Sequence, residues 1–233
     1  MGVRSRPSPN WDARPAGQAV ELVVLHYTGM RSAAEALDRL CDAAAKVSAH
    51  YLIDEDGTLW SLVAEDARAW HAGRSLWGGR GDVNGRSLGI ELVNPGHEWG
   101  YRPFPEPQMA RLIDLLGELR TRHGLCPSAF LGHSDVAPLR KEDPGELFDW
   151  PRLATRGYGI WPDDGDRPPP AADVPGALAA IGYGYLDEDP SAVLRAFQRR
   201  FRPASITGVA DEETGRLIAA VEKLAVTQRA PKY

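Results

Sequence analysis

Residues 20–27 read Val-Glu-Leu-Val-Val-Leu-His-Tyr, and residues 87–94 read Ser-Leu-Gly-Ile-Glu-Leu-Val-Asn. Both are short apolar runs bounded by turn formers, the pattern of a buried strand rather than of an amphipathic helix. Thr28-Gly29 ends the first run. Next, Ser32-Ala33-Ala34-Glu35 is a capping box that opens a helix to about Ala45. AHYLID (49–54) and TLWSLV (58–63) flank a turn ending in Asp56-Gly57, which predicts a hairpin. Residues 65–86 show no periodicity and read as a long ordered loop carrying Trp70, His71 and Trp77. In a compact domain such a loop is usually functional. Residues 107–123 place Met109, Leu112, Ile113, Leu115, Leu116 and Leu119 at helical spacing, with Pro107 near the first turn and Gly124 just past the end. FLGHSD (130–135) predicts a short strand, and PLRKEDPGELFDW (138–150) a loop.

The chain has 233 residues, 43% apolar and 25% charged, a globular composition that excludes disorder for the chain as a whole. Lys and Arg number 27 against 32 Asp and Glu, a net charge of −5 that disfavours nucleic acid as a partner. Cys41 and Cys126 are too few for a disulfide scaffold or a Cys-based zinc site, and read as small buried side chains, with a single disulfide as the alternative. No run is long and apolar enough for a membrane span. The N-terminal stretch MGVRSRPSPNWDARPAG lacks the apolar core of an export signal, so the expected location is the cytoplasm, with Met1 taken as the start. No feature specifies an oligomeric state. After Trp161 the composition turns proline-rich and acidic. The expected division is a main domain over 1–161, a linker over 162–172 and a small helical domain over 173–233. The last of these carries three short helical segments, with Asp211 expected to cap the third.

Two histidines stand at strand ends beside other polar groups. His26 closes the first run and His133 closes FLGHSD; Asp143 follows ten residues later in a Pro/Gly loop able to fold back. Two imidazoles and a carboxylate, with one position left to water, make a common catalytic zinc shell. Ordinary strand-end histidines are the competing reading. Glu91 lies inside a buried strand, where a carboxylate is costly unless paired or neutralised. Burial raises its pKa towards the range of a general base; an outward-facing Glu on a half-exposed strand is the alternative. Lys141 sits two residues before Asp143. There it either stabilises an oxyanion or belongs to a solvated charge cluster, Arg-Lys-Glu-Asp. His50 and His71 either line a cleft or fill the core.

VVLHYTGM, KVSAHYLIDEDG, WHAG, SLGIELVNPG and GHSDVAPLRKEDPG, in that order, resemble the zinc-dependent N-acetylmuramoyl-L-alanine amidases of the amidase-2 type, over roughly residues 8–158. ALAAIGYG, VLRAFQRRF and GVADEETGRL are similar, more loosely, to the three-helix peptidoglycan-binding module often attached to these enzymes. The resemblance implies an α/β fold with a central mixed sheet flanked by helices. It implies Zn2+ on His26, His133 and Asp143, Glu91 as the acid/base and Lys141 beside the oxyanion. The implied substrate is a muropeptide or peptidoglycan fragment, cleaved between the lactyl group and L-alanine. With a cytoplasmic location, the substrate becomes a 1,6-anhydro fragment in cell-wall recycling. A wall-cleaving amidase acting on intact peptidoglycan and a non-catalytic muropeptide-binding protein are the alternatives. Where recycling amidases often carry further basic residues before the Gly-Ile-Glu block, this chain has Asp82 and Asn84, with Arg80 earlier.

Overall fold

The computed structural model describes residues 2–163, 165 and 168–228. Met1, residues 229–233 and, within the expected linker, Asp164, Asp166 and Arg167 lie outside the described residues. In chain order the strands are β1 (Arg4–Ser5), β2 (Trp11–Ala13), β3 (Leu22–Tyr27), β4 (Tyr51–Ile53), β5 (Leu59–Ser61), β6 (Ala67–Ala69), β7 (Ser87–Leu92) and β8 (Phe130–Gly132). The helices are α1 (Ala33–Leu40), α2 (Val83–Arg86), α3 (Gly96–Trp99), α4 (Glu106–His123), α5 (His133–Val136), α6 (Trp150–Ala154), α7 (Val174–Ile181), α8 (Pro190–Phe201) and α9 (Glu212–Thr227). In the first unit a mixed sheet runs in the order β1-β5-β4-β7-β3, and β2 pairs with β6 in a separate ribbon. The chain folds as two compact units. One comprises the described residues up to Gly73 with Asp82–Leu125, the other Arg74–Gly81 with the described residues from Cys126 onward.

In the first unit β7 runs parallel to both β3 and β4, and β4 pairs antiparallel with β5 as the hairpin pattern predicts. With a strand on each side, β7 is buried along its whole length, which explains its unbroken apolar run. Ser32 caps α1 by accepting from the Glu35 N–H, while the Glu35 carboxylate reaches back to the Arg31 N–H. Ala36, Leu37 and Leu40 pack α1 against Leu52, Leu62 and Val93. α1 ends at Leu40, short of the predicted Ala45. There the Asp42 carboxylate takes the Ala44 N–H at 2.9 Å and turns the chain. α4 is held to the sheet by its apolar stripe and by buried Gln108, whose amide donates to Ile53 O at 2.9 Å and Val93 O at 3.0 Å.

The stretch 65–86 is not wholly loop: it contains β6 and α2. β6 exists because β2, far away in sequence, pairs with it. α2 exists because the Asp82 carboxylate caps it, accepting from the Gly85 N–H at 3.3 Å. Asp82 also pairs with Arg68, and Asn84 Oδ1 accepts from the N–H groups of His71 (3.1 Å) and Ala72 (2.7 Å). Both residues are thus employed in building the first unit.

The second unit has its own apolar core, in which Ile160, Leu178, Ile181, Tyr183, Val193, Phe197, Phe201, Ile218 and Val221 pack together, with Trp77 and Trp161 against them. Its three long helices start at side-chain caps: Asp173, Asp189 and, as predicted, Asp211. FLGHSD is strand only as far as Gly132. His133 opens a single helical turn, because the Asp135 carboxylate folds back onto the Gly132 N–H at 2.8 Å. Cys41 and Cys126 are free thiols and half-buried rather than fully buried. No helix among the described residues is long and apolar enough to cross a membrane.

Candidate active site

The register of the first unit sets two candidate side chains beside each other. In the parallel β3–β7 pairing His26 lies opposite Glu91, and both are buried, at 1% and 9% exposure. His26 is oriented by a chain of neutral groups. Its Nε2 lies 3.1 Å from His71 Nδ1, and His71 Nε2 lies 3.1 Å from Ser87 Oγ. The Ser87 hydroxyl hydrogen goes to Val83 O at 2.6 Å, so Ser87 Oγ accepts from His71 Nε2–H. The hydrogen-bond network then assigns His71 Nδ1 as an acceptor and His26 Nε2 as a donor, leaving the lone pair of His26 on Nδ1. A metal needs that lone pair, and a ligating His normally spends its other N–H on such a partner. Gly89 makes room for the relay: a Cβ there would come within 2.4 Å of the His71 ring.

His50 plays a different part. Its Nδ1 accepts from the Gly89 N–H at 2.9 Å, and its Nε2 lies 3.2 Å from Ala67 O and 3.1 Å from an Arg14 nitrogen. Burial, with the Arg14 charge in support, pushes its pKa down to about 3, so it is neutral. Arg14 also donates to the carbonyls of Glu65, Asn84, Gly85 and Ser87, tying the 65–86 segment down.

In the second unit His133 begins α5, and its Nδ1 lies 3.0 Å from Asp143 Oδ2. The Ser134 N–H donates to the Asp143 carbonyl at 2.9 Å. Gly132 is needed here because a Cβ would meet Pro144 at 2.8 Å. Arg140 places Nη2 3.3 Å from His133 Nε2 and donates from Nε to Arg74 O. Half-buried Lys141 follows, with its N–H donating to Ala137 O at 3.1 Å.

His26 in the first unit, and His133 and Asp143 in the second, are all buried and each offers one donor atom of a kind that binds a metal ion. Two imidazoles and one carboxylate are a donor set that fits a catalytic zinc shell, which takes three protein ligands and keeps a fourth position open. Sequence reasoning singled out these three and Glu91. It left His71 without a role and passed over Arg140. The WHAG block marked the first; for Arg140 only its place beside Lys141 pointed to it.

The N-acetylmuramoyl-L-alanine amidase family model matches residues 16–146. The chain is 34% identical to the N-acetylmuramoyl-L-alanine amidase AmiD of Escherichia coli, over 94% of this chain and 90% of that protein. It is 33% identical to the 1,6-anhydro-N-acetylmuramyl-L-alanine amidase AmpD of Escherichia coli, over 66% of this chain and 91% of that one. Among solved structures, AmpDh3 of Pseudomonas aeruginosa in complex with an anhydromuramic pentapeptide superposes with a TM-score of 0.80 at 33% identity, covering 90% of this chain and 94% of that one. With these matches and a fold of mixed sheet and flanking helices, the chain belongs to the N-acetylmuramoyl-L-alanine amidase family.

Proposed function

We propose that this amidase uses zinc to hydrolyse the amide between the lactyl carbonyl of N-acetylmuramic acid and L-alanine, with 1,6-anhydro muropeptides of peptidoglycan recycling as its substrates. The observation that carries the reading is the donor set itself: buried His26 with Glu91 in register beside it in one unit, and buried His133 beside Asp143 in the other. The relatives support the substrate class. E. coli AmiD has been solved with anhydro-N-acetylmuramic acid-L-Ala-D-γ-Glu-L-Lys, a match with a TM-score of 0.79 at 33% identity.

Bound at the triad, zinc supplies a Lewis acid that brings the pKa of a water down to about 7. Glu91 accepts the proton of the attacking water, whose oxygen forms the new bond to the lactyl carbon. Lys141 donates to the oxygen that gains negative charge as the carbonyl turns tetrahedral. Glu91 then returns its proton to the alanine nitrogen as the carbon–nitrogen bond breaks. His71 and Ser87 keep His26 in the tautomer with its lone pair on Nδ1.

In the proposed division of labour, residues 1–161 carry the chemistry and the helices after residue 173 support substrate handling, while sharing one compact unit with residues 126–161 rather than folding apart from them. The proposed compartment is the cytoplasm, which the two free thiols suit. The deciding experiment gives the purified enzyme anhydro-muropeptides and intact sacculi side by side, with products identified by mass spectrometry. Faster release of peptides beginning with L-alanine from the anhydro substrate is expected. A clear preference for sacculi moves the assignment to a wall-cleaving amidase with the same residues. Fractionation of the native host should place the protein with cytoplasmic markers.

A further inference from the structure

We propose that Asp135, Arg200 and Tyr183 are positioning residues for the metal ligand His133, so that the C-terminal helices act on the metal site through a buried charge clamp. The inference rests on the metal reading above. Asp135 is 1% exposed and stands two residues after His133. Its Oδ2 accepts from the Gly132 N–H at 2.8 Å and from Arg200 Nη1 of α8 at 2.6 Å. Its Oδ1 accepts from the Tyr183 hydroxyl at 2.8 Å. Arg200 is itself buried, reaches Phe130 O at 3.3 Å and lies over the Trp150 ring at 3.8 Å. Tyr183 is fixed in turn by an edge-on Trp77, ring centroids 5.0 Å apart.

All these contacts converge on one turn. β8 ends at Gly132, and the Asp135 carboxylate bends the chain there so that His133 starts α5. The same turn gives the Ser134 N–H to the Asp143 carbonyl. It therefore sets the relative position of His133 and Asp143, the two ligands that this unit supplies. A buried ion pair is a poor device for stability alone, because well-packed apolar side chains of the same size often do as well or better. Directional bonds to one carboxylate from α8 and from the segment just after α7 are a good device for fixing a turn. Groups that orient metal ligands typically change metal affinity about 10–100-fold when removed.

The test uses the full-length chain and measures zinc affinity by competition with a chromogenic chelator, alongside the visible spectrum of the cobalt-loaded protein and a thermal melt. Arg200→Met should weaken zinc binding about 10–100-fold and alter the cobalt spectrum. Tyr183→Phe keeps the packing and removes one hydroxyl; it should weaken zinc about 2–10-fold. If Arg200→Met does not fold, Tyr183→Phe decides. Zinc affinity within twofold of the parent in every variant that folds, with an unchanged cobalt spectrum, overturns the clamp. A parent chain that takes up no zinc overturns the metal reading itself, and the clamp with it.

Discussion

His26 in the first unit and His133 in the second are held by opposite kinds of chemistry. His26 is held through an uncharged relay: His71, then Ser87, then the carbonyl of Val83, each link one hydrogen bond. Around His133 the partners are ions: Asp143 at its ring, Arg140 near its other nitrogen, and Asp135 paired with Arg200 beneath the turn. A neutral relay is cheap to bury, and each missing link costs about the desolvation of one group. A buried ion pair is conditional on both members, since removing one leaves a charge without its counter-ion. Damage to the first unit's relay should therefore be graded, and damage to the second unit's clamp steep.

The largest effect tests the proposed zinc. Chelation should abolish amidase activity and added zinc should restore it, with elemental analysis returning one zinc per chain. Full activity in a metal-free preparation would break the comparison at its premise. The next effect separates holding a metal from using it. Glu91→Gln should fold and keep zinc, yet turn over roughly 10²–10⁴-fold more slowly. Lys141→Ala should cost roughly 10²–10³-fold, as other oxyanion donors do. A near-normal rate in either variant reduces that residue to a structural part of its unit.

A smaller effect addresses the relay directly. His71→Phe removes the acceptor that fixes the His26 tautomer while keeping an aromatic ring against Gly89. Zinc affinity, read by chelator competition, should fall about 10–100-fold. His71→Gln offers both an acceptor and a donor and should recover part of that loss. Recovery by Gln at position 71 but none by Lys at position 200 is the sharpest form of the contrast, because a neutral relay tolerates any neutral donor–acceptor, whereas the clamp needs the planar fork of Arg. Equal tolerance at both positions would show that charge is not what distinguishes the two units.

The same contrast explains what could be read from the residues in order. β3 and β7 are legible because apolar runs announce buried strands, and His26 and Glu91 stand out against that background. α4 is legible from its spacing, and α9 from the Asp211 cap. β6 and α2 were hidden because they depend on distant partners: β2 for one, and for both the hydrogen bonds of Arg14, which link residues 51–73 positions apart. Ser87 reads as an ordinary strand residue until the fold brings His71 to it. Arg200 was harder still. In PSAVLRAFQRRF the paired arginines look like a solvated helix face, and only the fold shows that Arg200 turns inward to a carboxylate 65 positions away. The types of the candidate ligands are visible locally; the groups that hold them are contacts across long stretches of chain.

The smallest effect concerns stability and belongs to the first unit alone. His50 is buried among Gly89, Ala67 and Arg14 with its pKa pushed down to about 3 from an ordinary 6.5. Between those values the unfolded chain binds a proton that the folded chain refuses. The stabilisation from neutral His50 is thus complete above pH 6.5 and drains away as pH falls towards 3, at up to ~1.4 kcal/mol per pH unit. His50→Gln keeps an acceptor for the Gly89 N–H and a donor for Ala67 O but does not titrate. Its melting temperature at pH 7 should lie below the parent's, since the ring's packing is lost, while its decline between pH 6 and pH 4 should be shallower. Melting both zinc-free chains across that range reads the difference in slope. Parallel curves would mean that His50 contributes nothing to the acid sensitivity of the first unit, and that the uncharged groups around its strands are as indifferent to pH as those around His26 are to charge.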